Sequence, residues 1–91
     1  MAVRVVIEGR VQGVGFRYWV AGEAVQLKLD GWVRNRRDGT VEALFAGDPD
    51  DVRAMVSRCR ESPLVAHVTR LTERDDEAPE VAGFEILPTA P

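Results

Sequence analysis

The chain has 91 residues, 45% hydrophobic and 30% charged, with twelve Lys or Arg against fifteen Asp or Glu and a formal charge of −3. That length suits a single domain over residues 1–91 with one core, and the acidic balance argues against nucleic acid as a partner. A lone cysteine, Cys59, excludes an intramolecular disulfide and a cysteine-based metal site, and no apolar run is long enough to span a membrane or act as a secretory h-region. A reducing cytoplasm is the expected compartment. The charge is uneven: residues 1–37 carry seven basic against three acidic residues, a local excess of four positive charges.

Ala2 to Glu8 is rich in β-branched residues, with Val3, Val5 and Ile7 alternating, and reads as a first strand. Gly9-Arg10-Val11-Gln12-Gly13-Val14-Gly15-Phe16-Arg17 follows as a glycine-punctuated turn. Glycines free the backbone to bring N–H groups against an anion, and Arg17 falls in the first helical turn, where the helix dipole already favours negative charge. A tight strand-to-helix turn with an incidental arginine accounts for the same residues. Phe16, Val20, Ala24 and Leu27 recur at helical spacing, so a helix is expected to end between Leu27 and Asp30.

Gly31 to Arg36 and Val41 to Ala46 read as strands joined through Arg37-Asp38-Gly39-Thr40, where Asp-Gly is a hairpin signal. Asp48-Pro49-Asp50-Asp51 supplies an N-cap, a first-turn proline and first-turn acids. The helix so started has Val52, Met55, Val56 and Cys59 as its apolar face and Ser62-Pro63 as its stop. Cys59 is thus expected to be a buried hydrophobe. Val65 to Thr72 forms a fourth strand whose imperfect alternation suggests a bulge. Glu73 to Glu80 reads as a solvated acidic loop, and Gly83 to Leu87 as a short edge strand.

The order is βαββαβ with a short extra C-terminal strand. It predicts an α+β, ferredoxin-like α/β sandwich: an antiparallel four-stranded sheet with two helices on one face. This architecture hosts many functions. The glycine turn lacks the Gly-Lys-Ser/Thr of a Walker A loop and the third glycine of a dinucleotide fingerprint. No arginine stands six residues after Cys59, where a cysteine phosphatase would need one, and His67 has no carboxylate nearby in sequence. No histidine and carboxylate cluster is present to hold a metal, and residues 40–45 lack the stacking aromatics of an RNA-recognition strand. What is left is the anion cradle and an isolated polar residue, Asn35, which in local terms could simply cap the hairpin.

Val11-Gln12-Gly13-Val14-Gly15-Phe16-Arg17, together with Gly31-Trp32-Val33-Arg34-Asn35 followed by Asp38-Gly39-Thr40-Val41-Glu42, resembles the two signature segments of acylphosphatases. The similarity extends over nearly the whole chain. It implies hydrolysis of the carboxyl-phosphate bond of small acyl phosphates to a carboxylate and inorganic phosphate, without metal or cofactor; the chain is expected to act as a monomer. By the resemblance, Arg17 binds the phosphate, Asn35 positions the attacking water, and Gln12, Gly13, Val14, Gly15 and Phe16 supply backbone N–H donors. The alternative is a non-catalytic module of the same fold binding phosphorylated small molecules. Two departures from the family pattern stand out: Lys28 replaces the glycine of a Leu-Gly-Leu helix end, and Ser62 precedes Pro63 where glycine is common.

Overall fold

A computed structural model describes residues 1–61 and 66–91. The elements are β1 (Ala2–Arg10), α1 (Phe16–Gln26), β2 (Asp30–Asn35), β3 (Val41–Ala46), α2 (Pro49–Glu61), β4 (His67–Asp75) and β5 (Phe84–Ile86). The sheet order is β4-β1-β3-β2-β5. β3 runs antiparallel to both β1 and β2, so β1 and β2 are parallel to each other with β3 inserted between them. Their carboxyl ends therefore lie at the same edge of the sheet. One row across it joins Ile7, Val41 and Asn35.

The alternation expected of β1 is observed. Val3, Val5 and Ile7 are buried with Val33, Val41, Ala43 and Phe45 against Phe16, Val20 and Ala24 of α1 and Val52, Met55, Val56 and Cys59 of α2. Because Asn35 shares a row with Ile7 and Val41, it stands on this helix-covered face at the sheet edge. Burial pushes the Cys59 thiol up to about 12, aided by the negative charge of Glu23, which leaves it a small inert hydrophobe.

Three details depart from expectation. The short C-terminal strand β5 takes the expected edge position as a fifth strand, but it adds parallel to β2. β4 continues through Glu73, Arg74 and Asp75, paired with Val5, Arg4 and Val3, so the acidic loop starts three residues later than its composition implies. Residues 72–75 are exposed on both faces, so this end of the strand shows no alternation for a sequence to reveal. Leu29, not Leu27, completes the apolar face beyond α1, being buried while Leu27 is only partly so. The cause is the helix end: Lys28 takes φ 57°, the N–H of Leu29 bonds the Ala24 carbonyl, and that of Lys28 bonds Val25. This Schellman arrangement turns the chain back toward the core on a residue with a side chain.

The bulge in β4 is present. Glu8 pairs with Arg70 and Gly9 with Val68, so Thr69 is the extra residue. Shifting the phase there lets Val68 and Leu71 both pack on the core although they are three apart. α2 starts as expected, Asp48 Oδ1 accepting from the Asp50 N–H at 2.9 Å. The expected stop at Ser62-Pro63 and the first residue of the fourth strand, Val65, lie outside the described residues. No helix is long and apolar enough to cross a membrane among the described residues.

Candidate active site

The cradle is built by placing apolar side chains inside and glycines outside. Val11 and Phe16 are each 1% exposed and Val14 packs against the core, and the Phe16 ring stacks on Trp19 at 5.7 Å. These anchors hold the loop while Gly13 and Gly15 face solvent. Both glycines are left-handed, at φ 74° and 79°, a conformation that costs a side-chain-bearing residue about 1–2 kcal/mol. Gly15 is also the N-cap of α1 and contributes no side-chain cap. The N–H groups from Gln12 to Tyr18 therefore find no acceptor among the described residues; that of Trp19 is the first to do so, bonding the Gly15 carbonyl at 3.1 Å. Open donors at a helix N-terminus attract an anion.

Arg17 lies in this first turn, partly buried and without an ion pair among the described residues. A cavity of about 210 Å³ opens here, lined by Val11, Gly13, Gly15, Phe16, Arg17 and Tyr18. No heavy atom stands within 4 Å of where a Cβ would project from Gly13 or Gly15.

Asn35 ends β2 and is held on both sides. It pairs with Val41 of β3, and its carbonyl accepts the Ala90 N–H at 2.9 Å from the C-terminal segment. The adjacent turn is closed by Asp38, whose Oδ1 accepts from the Thr40 N–H at 3.0 Å and the Thr40 hydroxyl at 2.6 Å. These two bonds hold the Asp38 carboxyl below its ordinary value. Asn35 is thus not the hairpin cap. Its Oδ1 is buried and has no hydrogen-bond partner, an acceptor of the kind that a bound water satisfies.

The backbone N–H of Gln12 belongs to the expected cradle. Its side chain does something further: Nε2 donates to the Arg36 carbonyl at 2.7 Å and to the Thr40 carbonyl at 2.8 Å. One carboxamide thus ties the cradle to the hairpin that bears Asn35. Two acceptor carbonyls require the NH₂ end of the amide here, which fixes its orientation. Nothing in the local pattern signals this tie, because its partners lie 24 and 28 residues away. His67 is exposed on β4, and no group of three His, Cys, Asp or Glu converges as metal ligands among the described residues.

The acylphosphatase family model matches residues 3–86. The chain belongs to the acylphosphatase family. It is 51% identical over 88 residues to an acylphosphatase of Azorhizobium caulinodans, covering 96% of this chain and 95% of that one. It is 59% identical over 71 residues to one of Nitrobacter hamburgensis, covering 78% and 72%. The crystal structure of acylphosphatase from Bacillus subtilis matches with a TM-score of 0.87 at 38% identity, over 94% of this chain and 97% of that chain. The acylphosphatase resemblance of the two sequence segments is therefore matched by the whole chain and by its fold.

Proposed function

We propose that this acylphosphatase cleaves small acyl phosphates by direct attack of a water held by Asn35 on a phosphoryl group held by Arg17 and the N–H groups of Gln12 to Phe16. Water oxygen bonds to phosphorus as the bond from phosphorus to the acyl oxygen breaks. The carboxylate leaves with that electron pair, and the water's protons pass to the phosphate product and solvent. Arg17 offers a planar pair of donors to two phosphoryl oxygens, and the preset N–H groups stabilise charge on the transferred group. A carboxamide accepts one water O–H and orients it but takes no proton at neutral pH. That suffices for a loose transition state with a good leaving group. The observation carrying this reading is the unpartnered, buried Oδ1 of Asn35 at the same sheet edge as the cradle.

We place the enzyme in the cytoplasm as a monomer, its single buried thiol needing no oxidising compartment. Nucleic acid is not its ligand in this reading. The helix-free sheet face carries Trp32 between Arg4 and Arg34, at 5.4 and 4.7 Å from the ring centroid, beside a paired Glu42 rather than an open stacking platform.

The test is turnover of a synthetic aromatic acyl phosphate with a chelator present. Arg17→Ala is expected to lose inorganic phosphate binding and about a thousandfold or more in kcat/KM, and Asn35→Ala to keep phosphate binding but lose about a hundredfold in kcat. Phosphate binding without turnover in the wild type would favour the binding module instead.

A further inference from the structure

The cradle accounts for the phosphoryl half of the substrate and leaves the acyl half without a partner. In an in-line displacement the leaving group departs on the side away from the attacking water. Asn35 does not line the cavity of about 210 Å³, which runs instead from the cradle glycines along the first turn of α1 to Tyr18. Tyr18 is 69% exposed, a large aromatic surface left uncovered directly after Arg17, and its hydroxyl has no hydrogen-bond partner among the described residues. An exposed aromatic at the mouth of a binding cavity offers apolar area at little conformational cost.

We propose that Tyr18 is a specificity-determining residue that packs against the acyl group of the substrate and favours aryl over short alkyl acyl phosphates. The inference rests on the reading of the cradle as the phosphoryl site. An aryl group laid on the Tyr18 ring gains contact that an acetyl group is too small to make, while the phosphoryl contacts are common to both. Binding made equally in ground and transition states lowers KM without raising kcat, so the preference should appear in KM.

The experiment measures kcat and KM for benzoyl phosphate and acetyl phosphate, with inhibition by inorganic phosphate, in the wild type, Tyr18→Ala and Tyr18→Phe. Tyr18→Ala is expected to raise KM for benzoyl phosphate about tenfold, within the range one aromatic contact supplies. Acetyl phosphate kinetics and phosphate inhibition should stay as in the wild type, and Tyr18→Phe should restore the aryl preference. If Tyr18→Ala changes both substrates alike or neither, the inference is overturned while the activity stands. A wild type that hydrolyses neither substrate would overturn the phosphoryl-site reading and, with it, the role of Tyr18.

Discussion

At the scale of single residues, the proposed site divides between groups assigned to the substrate and one side chain that only holds them in place. Gln12 is the second kind in its side chain, joining two loops that the chain separates by more than twenty residues. Gln12→Ala should cost about 1–3 kcal/mol in stability, since two hydrogen bonds to partly buried carbonyls are lost. It should also lower kcat while leaving phosphate inhibition less affected. Gln12→Glu is nearly the same size yet should be worse than Ala, because an ionised carboxylate has no donor for two carbonyl oxygens and repels them. Urea unfolding beside steady-state kinetics of the two variants checks both points, and a Glu variant equal to the wild type would sink the tie. Arg17 and the glycines were legible in the sequence because a turn, an arginine and a helix start are all local. The Gln12 tie and the orphaned Asn35 oxygen were not, since each depends on what the far hairpin brings alongside.

Among the elements, α1 carries the clearest conflict between local and global demands. Its N-terminus uses left-handed glycines, whereas its C-terminus forces Lys28 into the same conformation. A non-glycine residue there costs about 1–2 kcal/mol, of which glycine's greater freedom in the unfolded chain returns roughly half. Lys28→Gly is therefore expected to stabilise the fold by about 0.5–1 kcal/mol, read as a higher urea midpoint at unchanged m, with catalysis unaltered. The same turn explains why helical spacing pointed to Leu27 while Leu29 is the residue buried: periodicity describes a helix only while it continues. β4 runs longer than its composition suggests for a related reason. Glu73 and Asp75 look like loop residues, yet they complete an edge strand through main-chain pairing with Val5 and Val3, which asks little of their side chains. Edge strands commonly carry such charges, which discourage pairing with another chain.

For the whole molecule, the order of strands matters more than any one of them. Inserting β3 between parallel β1 and β2 sets the end of β2 at the same end of the sheet as the loop leaving β1, with β3 between them, so the fold itself brings the two halves of the candidate site to one end. The βαββαβ order was legible because each strand and helix has its own periodicity and each turn its own residues. The parallel addition of β5 was not, because three residues carry too little pattern to name a partner. The helix-free face is closed by its own charges: Glu42, 6% exposed, lies 2.8 Å from Arg34 and 3.6 Å from Arg4. Strand β2 is thereby clamped by side chains on one face and by packing on the other, up to Asn35 at its end.

The cradle of main-chain donors has a consequence for acidity. A peptide N–H, a guanidinium and a carboxamide neither gain nor lose a proton across the neutral range, and the one histidine lies exposed on β4. The proposed machinery therefore includes no imidazole, carboxylate or thiol to carry a proton. Once corrected for ionisation of the acyl phosphate itself, kcat/KM should be level across the neutral range instead of bell-shaped. A limb that persists after the correction, and vanishes on substituting some ionisable side chain, would reveal a proton carrier outside this set.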